Sequence, residues 1–142
     1  MARSSELHRV ADRLHSAAIY VLRYAREADR HSSVGPAQLS ALSVLTYGGP
    51  HTIGELAAAE QVTPPTMTRI VQALHERGFV RLKRSPTDAR VTICEAARTG
   101  VAILKKARQA RLDRIEALLS QKKLDDVAFL GKALDAVLDD QH

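Results

Sequence analysis

The sequence predicts a mainly α-helical protein with one small β-hairpin. Three observations in the 142 residues point to this fold class. Long segments near both ends repeat apolar residues at spacings of three and four, which is the period of an amphipathic helix. Proline and glycine divide the middle of the chain into shorter helical segments. Two short runs rich in Val, Ile and Phe then flank a polar turn, as in a hairpin.

The composition is that of one ordinary globular domain rather than a large multidomain enzyme. A net charge of +5 favours a polyanionic partner, whereas 4% aromatic residues and no Trp argue against a protein that stacks on single-stranded bases. The single cysteine, Cys94, excludes an intrachain disulfide framework. No apolar run approaches the roughly 20 residues of a membrane span, and the N-terminus lacks the apolar core of a signal peptide. We therefore expect a cytoplasmic protein without membrane contact.

The first predicted helix runs from about Glu6 to His31. At about 1.5 Å per residue, a helix of this length reaches past the core of a small domain, so part of its apolar face needs an external partner. The sequence thus predicts a dimer. The apolar residues at helical spacing are Leu7, Val10, Ala11, Leu14, Ala17, Ala18, Val21, Leu22, Ala25 and Ala28.

Two shorter helices follow the break at Ser32–Pro36. The second helix is predicted to end at Gly48-Gly49-Pro50, where a capping glycine precedes a helix breaker. Thr52 and Glu55 have the spacing of a capping box, in which each side chain satisfies a free N–H at the helix start. A short third helix is therefore expected from Ile53 to about Glu60.

Thr63 and Pro64 mark the start of a fourth helix, because Thr is a good N-cap and Pro fits best at the first helical position. This helix is expected to run to Arg77 and to end at Gly78. The inward face is predicted to consist of Met67, Ile70, Val71 and Leu74, which leaves Pro65, Thr66, Thr68, Arg69, Gln72 and Ala73 facing outward or flanking.

A β-hairpin is predicted next, with strands at Phe79–Lys83 and Val91–Ala96. The segment between them, Arg84–Arg90, consists of turn-forming and basic residues, so the hairpin has a basic tip.

A long fifth helix from Arg98 to Ser120 and a sixth from Leu124 to Leu138 complete the chain. We expect residues 1–35 and 98–142 to supply dimerisation helices, and residues 36–97 to form the lobe between them.

Three helices joined by tight turns and followed by a hairpin have the element order of a winged helix-turn-helix. Within that order, the segments 62–71 and 74–80 resemble the recognition-helix region of MarR-type (multiple antibiotic resistance) transcription regulators. Arg84 with Asp88-Ala89-Arg90 matches their wing signature, and Gly100 lies where the family begins its fifth helix. The chain departs from the family at Ala96-Ala97, where Leu-Thr is usual, so the helix loses an expected N-cap, a loss of about 0.5 to 2 kcal/mol.

This resemblance implies binding to double-stranded DNA, and the charge distribution supports that independently. Residues 63–98 hold seven basic and three acidic side chains, a net charge of +4. Thr66 and Thr68 can bond bases or phosphates, Arg69 can grip guanine or phosphate, and Gln72 can reach adenine. Arg90 is the expected minor-groove or backbone contact, oriented by Asp88, whose alternative role is to cap the turn. The predicted DNA-binding residues are Thr63, Pro65, Thr66, Thr68, Arg69, Gln72, Arg84, Asp88 and Arg90.

We expect a homodimer on an inverted-repeat operator that represses a promoter by steric block, with activation as the alternative. The resemblance implies that a small phenolic or carboxylate ligand, bound between the dimerisation helices and the winged lobe, weakens DNA binding. His15, Tyr20, Tyr47 and His51 have polar tips near that predicted junction. Their alternative role is that of ordinary surface or half-buried side chains.

Other chemistry finds little support in the sequence. Cys94 could sense peroxide as a thiolate, but on a predicted strand beside Ile93 we expect it to pack inward. The six histidines show no metal-binding spacing, and no phosphate loop or catalytic triad motif is evident, so we expect neither cofactor, metal nor enzyme. The alternative function is a helical adaptor whose basic face binds an acidic protein.

Overall fold

A computed structural model of the chain describes residues 2–139. The predicted fold class is confirmed, because these residues form six α-helices and one small antiparallel sheet. The ends of the chain, including His142, lie outside the described residues. The elements in order are α1 (Ala2–Arg26), α2 (Pro36–Gly48), β1 (His51–Thr52), α3 (Ile53–Ala59), α4 (Pro64–Glu76), β2 (Val80–Arg84), β3 (Thr92–Ala96), α5 (Arg98–Leu119) and α6 (Leu124–Asp139).

The chain forms two compact units. The central unit runs from Asp29 to Gln109 and contains α2, α3, α4, the sheet and the first half of α5. The terminal-helix unit combines the described residues up to Ala28 with those from Ala110 onward. It contains α1, the second half of α5 and α6.

The helix boundaries of the central unit follow the predicted caps. Thr52 and Glu55 form the capping box at α3, because the Glu55 N–H donates to Thr52 Oγ1 at 3.1 Å and the Thr52 N–H donates to Glu55 Oε2 at 2.9 Å. Thr63 caps α4 and Pro64 begins it. Gly78, with φ of 73°, follows α4 in the left-handed region that glycine adopts without strain.

The sheet has one strand more than the sequence predicted. Its order is β1-β3-β2, and β1 pairs antiparallel with β3 so that His51 lies opposite Cys94. A two-residue strand is too short to show the alternation from which strands are recognised, so it could not be predicted from the sequence. The hairpin itself is confirmed, with β2 shifted by one residue relative to the prediction.

The core of the central unit brings together apolar side chains from all three of its short helices and from the sheet. Gly100 at the start of α5 is buried, and a Cβ there would clash with the Phe79 carbonyl oxygen and lie 2.9 Å from Leu42 Cδ2. Only glycine lets α5 approach the main chain of Phe79, the residue before β2, this closely. The largest fully buried side chains are Leu42, Leu56, Met67, Leu74, Val34, Val71, Val80 and Cys94.

The terminal-helix unit differs at one predicted boundary. The first α-helix ends at Arg26, and residues Glu27–His31 continue as a tighter 3-10 helix. Arg114 of α5 holds this end, because its Nε donates to the Tyr24 carbonyl oxygen at 2.9 Å and its guanidinium lies 4.2 Å from the Tyr24 ring centroid. A side-chain donor at that carbonyl is consistent with the change of helix type, since the α-helical bond from residue 28 would use the same oxygen.

Apolar side chains of the terminal-helix unit are largely exposed. Among its described residues, Ala25 is the one buried hydrophobic side chain. Phe129 is 75% exposed and Leu7 is 63% exposed, although both lie on helices with an apolar face. The exposed large hydrophobic residues of this unit are Leu7, Val10, Leu14, Ile19, Tyr20, Leu22, Leu112, Leu124, Phe129, Leu130, Leu134, Val137 and Leu138.

Candidate nucleic-acid interface

The fourth helix divides into a buried and an exposed face, as the apolar spacing predicted. Met67, Val71 and Leu74 are buried in the core, and Ile70 is half-buried against it. The opposite face is polar and open to solvent. Its exposed side chains include Thr66, Thr68, Arg69 and Gln72.

The hydroxyl groups at the start of α4 have partners within the helix. Thr63 Oγ1 accepts from the Thr66 N–H at 3.4 Å, and the two hydroxyl oxygens lie 2.9 Å apart in a second hydrogen bond. The Thr68 hydroxyl donates to the Pro64 carbonyl oxygen at 2.9 Å, so its oxygen remains free to accept. Within residues 2–139, the structure shows no hydrogen bond or ion pair to the side chains of Arg69 and Gln72, which leaves both available to a partner.

Main-chain bonds shape the tip of the hairpin. The Ser85 N–H donates to the Val91 carbonyl oxygen at 2.8 Å, and the Val91 N–H donates to the Asp88 carbonyl oxygen at 3.0 Å. Asp88 Oδ1 accepts from the main-chain N–H of Arg90 at 3.0 Å. The sequence suggested that Asp88 orients the Arg90 guanidinium, but the bond in the structure is to the backbone. Asp88 therefore fixes where the chain presents Arg90.

Four of the seven basic side chains counted in residues 63–98 have partners within the protein, and one of them, Arg84, donates to the Ala89 carbonyl oxygen at the hairpin tip. Arg77 donates to both the carbonyl and the hydroxyl oxygen of Ser33, and its guanidinium lies 4.8 Å from the centroid of the Phe79 ring. Arg81 and Lys83 form ion pairs with Glu95 at 3.3 Å and 2.9 Å. The net charge of this region thus overstates the cations available to a partner.

The Glu95 carboxylate is held in its charged form by these neighbours. A hydrogen bond from Lys83 and the positive charge of Arg81 lower the pKa of Glu95 below its usual value. Sequence reasoning missed this group. Strand alternation was the signal that could have found it, because Arg81 and Lys83 share one face of β2, and Glu95 lies opposite Arg81.

A groove of about 680 Å³ separates α4 from the hairpin. Predicted DNA-binding residues of both elements line it, namely Thr68 and Gln72 of α4 and Arg90 of the wing. His75 and Thr92 also line it, and neither was predicted. His75 Nδ1 donates to the Val80 carbonyl oxygen at 3.2 Å, which ties the end of α4 to β2. The two predicted DNA-reading elements therefore share one concave surface.

The four residues predicted to bind a small ligand lie two in each unit. His15 and Tyr20 are exposed on α1, and the Tyr20 ring stacks on Tyr24 with centroids 6.3 Å apart. Tyr47 is 70% exposed near the end of α2. The His51 Nδ1 donates to the Gly49 carbonyl oxygen at 2.7 Å, so its ring is fixed by the turn after α2. Their role in ligand binding stays a prediction.

Cys94 packs inward, in agreement with the expected structural role. It is buried in the core of the central unit, and this burial raises the pKa of its thiol to about 11. Such a thiol is protonated at neutral pH, whereas reaction with peroxide requires the thiolate. Among the described residues, no three His, Cys, Asp or Glu side chains gather into a possible metal site, and no helix is long and apolar enough to cross a membrane.

The packed three-helix core, the antiparallel hairpin and the exposed polar face of α4 define a winged helix-turn-helix protein. The MarR family model matches residues 35–92. An HTH-type transcriptional regulator of Mycobacterium leprae is 34% identical over 131 residues, which is 92% of each chain. A second such regulator, from Mycobacterium tuberculosis, is 34% identical over 92% of this chain and 91% of its own. The chain belongs to the MarR family of transcriptional regulators.

Solved structures have the same fold over nearly the whole chain. A transcriptional regulator of Thermotoga maritima superposes with a TM-score of 0.78 at 25% identity, covering 94% of this chain and 96% of its own. MarR of E. coli superposes with a TM-score of 0.73 at 24% identity, covering 90% and 95%. A mutant of S. aureus MepR bound to an oligodeoxyribonucleotide reaches 0.70 at 15% identity, covering 94% and 98%. Since this family consists of transcriptional regulators, the chain is not an enzyme.

Proposed function

We propose that the chain is a homodimeric regulator that binds double-stranded DNA sequence-specifically and acts in the cytoplasm. The observation that carries this proposal is the groove between α4 and the wing, whose lining includes Thr68, Gln72 and Arg90. A winged protein places its recognition helix in the major groove and its wing against the adjacent strand or minor groove. The concave surface between the two elements matches the convex sugar–phosphate strand that separates those grooves.

Each predicted DNA-binding residue has a role within this arrangement. Arg69 and Gln72, which have no protein partner among the described residues, are the candidates for base contacts to guanine and adenine. The hydroxyl groups of Thr66 and Thr68 accept hydrogen bonds from bases or contact phosphates. The main-chain N–H groups at the start of α4 add a favourable site for a phosphate, with Thr63 and Pro65 shaping the turn.

The wing contributes positive charge at a defined place. Asp88 fixes the backbone at Arg90, and Arg84 NH1 donates to the Ala89 carbonyl oxygen at 3.3 Å, so both arginines emerge from an ordered tip. A guanidinium presented in this way can insert into a minor groove or bind the adjacent phosphates. We assign Arg90 the groove contact and Arg84 the backbone contact.

A second copy of the chain is the partner proposed for the terminal-helix unit. Its exposed hydrophobic residues, with Leu124 81% and Phe129 75% exposed, leave an apolar surface that water does not favour. Burying such surface between identical helices would yield a two-fold dimer with two recognition helices. Half-sites about 34 Å apart, one turn of DNA, would then form an inverted repeat.

The proposed mode of regulation is repression by steric block of a promoter. A small phenolic or carboxylate ligand would relieve it by favouring a state with lower DNA affinity. The residues proposed to respond to this ligand are His15, Tyr20, Tyr47 and His51. We expect a hydroxybenzoate to weaken operator binding, and the variants Tyr20→Ala and His51→Ala to reduce that effect. A hydroxybenzoate that leaves operator affinity unchanged at millimolar concentration would remove this part of the proposal.

Salt dependence of duplex binding tests the proposed function directly. A dimer that contacts six to ten phosphates should lose about 10³ to 10⁵ in affinity between 50 and 200 mM salt. Fluorescence anisotropy with a labelled genomic duplex at several salt concentrations measures this slope. A protein that binds no duplex at 50 mM salt, and binds an acidic polypeptide instead, would be the helical adaptor and not a DNA-binding regulator.

A further inference from the structure

One face of the hairpin carries an ion triad of Arg81, Lys83 and Glu95. Arg81 NH2 lies 3.3 Å from Glu95 Oε1, and Lys83 Nζ lies 2.9 Å from Glu95 Oε2, so both carboxylate oxygens are occupied by cations of the neighbouring strand. The strand register places Arg81 directly opposite Glu95. The carboxylate therefore binds two cations at once through its two oxygens.

The triad is not needed to hold the sheet together. The Arg81 and Lys83 side chains are 61% and 63% exposed, and exposed ion pairs contribute little to stability. The opposite face of the same strands buries Val80 and Cys94 in the core, and the main-chain ladder joins the strands along five residue pairs. The consequence of the triad is thus electrostatic: one carboxylate holds two cations of the wing in place and offsets one of their two positive charges.

Lys83 is the cation of this triad nearer the wing tip, and it lies on the face of β2 opposite Leu82, which lines the proposed groove. Lys83 immediately precedes Arg84, the residue at which the wing tip begins, and one strand residue spans about 3.3 Å. At physiological salt, charges interact over about 8 Å, and duplex DNA carries a charge every 1.7 Å along its axis. A free Lys83 is therefore within reach of a phosphate that the wing tip contacts, and the Glu95 carboxylate repels that phosphate.

We propose that Glu95 lowers the non-specific DNA affinity of the wing by holding Arg81 and Lys83 in an ion triad. This inference rests on the proposed DNA-binding function. Contacts to phosphate contribute equally to the affinity for every DNA sequence. If two cations are kept from phosphates, the base contacts of α4 therefore supply a larger share of the binding free energy. Glu95 is in this sense a specificity-determining residue that contacts no base.

The test compares wild type with Glu95→Gln on a 30-base-pair duplex of random sequence, by anisotropy between 50 and 200 mM salt. Freed cations that contact one or two phosphates should steepen the salt slope by about 0.9 to 1.8 and raise affinity at 100 mM salt about threefold to tenfold. Glu76→Gln is the matched control, because it removes one exposed carboxylate from the same lobe without releasing a cation pair.

A second pair of variants separates release of the cations from the change in net charge. In the wild-type background, Arg81→Gln with Lys83→Gln should leave the salt slope nearly unchanged, because Glu95 holds both cations and neither contacts a phosphate. The same two substitutions added to Glu95→Gln should return the slope to the wild-type value. Thermal unfolding of each variant, followed by circular dichroism, confirms that the lobe is folded.

The outcomes distinguish this inference from the function on which it rests. If wild type binds DNA with a steep salt slope, and Glu95→Gln changes that slope no more than Glu76→Gln does, the proposed role of Glu95 is wrong. DNA binding itself then still stands. The role of Glu95 is also wrong if Arg81→Gln with Lys83→Gln lowers the salt slope in the wild-type background. A wild-type protein that binds no duplex removes both.

Discussion

The central unit buries its apolar residues within one chain, whereas the terminal-helix unit leaves similar residues exposed. In the central unit, leucines such as Leu42 and Leu56 are fully buried within one chain. In the terminal-helix unit, leucines such as Leu7 and Leu124 are 63% and 81% exposed. Helical periodicity is present in both, so the pattern alone does not say what an apolar face packs against. One unit is thus stabilised by its own core, whereas in our proposal the other is stabilised by association with a second copy.

This contrast assigns a separate task to each part of the chain. The central unit presents α4 and the wing on a scaffold whose boundaries are fixed by caps, a close glycine contact and a buried sheet face. The terminal-helix unit, in our proposal, decides how many such surfaces act together. Substitutions in the two units should therefore affect different measurements, and the following predictions run from the largest expected effect to the smallest.

The largest effect is expected from charges placed on the apolar face of α1. Val10→Glu combined with Leu14→Glu should prevent association, since both side chains are about half exposed in the single chain and would be buried only by a partner. Loss of the second recognition helix should lower operator affinity about a hundredfold or more. Sedimentation velocity and anisotropy measure the two consequences on the same sample.

The matched control for this pair is Ser5→Glu with Ser16→Glu, which adds the same charge to the polar face of the same helix. We expect it to remain a dimer. A dimer that survives the charges on the apolar face would contradict the partner proposed for the terminal-helix unit.

The next effect separates the two kinds of leucine. Leu42→Ala should destabilise the protein by about 2 to 5 kcal/mol, because it leaves a cavity in a core where Leu42 is fully buried. Leu7→Ala removes the same atoms from an exposed position, so its effect should act through association and depend on protein concentration. Urea unfolding at two protein concentrations distinguishes the two variants. If both variants lose the same free energy of unfolding, independent of protein concentration, the proposed difference between buried and exposed leucines is wrong.

A smaller effect is expected from single arginines of the recognition helix and the wing. Arg69→Ala and Arg90→Ala should each weaken operator binding by about 1 to 3 kcal/mol without affecting dimerisation, because neither side chain lies in the core. Arg77→Ala is the control of the same chemistry. Its side chain contacts Ser33 and Phe79, so its loss should show in stability rather than in the salt slope of binding. Unchanged operator affinity in both Arg69→Ala and Arg90→Ala would remove the residue assignments.

The smallest effect is local to the start of α4. Thr63→Ala removes the N-cap whose hydroxyl accepts from the Thr66 N–H, which should cost about 1 kcal/mol of stability. Thr63→Ser keeps an oxygen in the same place and should restore most of it. Chemical unfolding of wild type and the two variants measures these differences in stability. If Thr63→Ser is as unstable as Thr63→Ala, the capping role is wrong.

Much of the fold could be predicted because local physics marks its boundaries. The caps at Thr52 and Thr63 and the glycine after α4 are short-range signals, and the structure places helix ends at each. The strand β1 could not be predicted, since two residues gain strand geometry only by pairing with β3, about forty residues further along the chain. The close contact at Gly100 is likewise long-range and left no trace in the local pattern.

The candidate site was predictable in its residue types but not in its available charge. Exposure of Arg69 and Gln72 follows from the helical period, because their apolar neighbours fix the buried face. Counting charges along the chain, by contrast, treated Arg77, Arg81 and Lys83 as equal to Arg69. The structure shows them engaged with Ser33 and Glu95, partners that only tertiary folding and strand register bring into contact.

Footprinting of the purified protein on genomic DNA tests the central claim most directly, namely that paired copies of the central unit read one duplex. We predict protection of an inverted repeat whose half-site centres lie about 10 base pairs, roughly 34 Å, apart on one face of the helix. Uniform protection without preferred sites, or protection of a single unpaired half-site, would contradict the account.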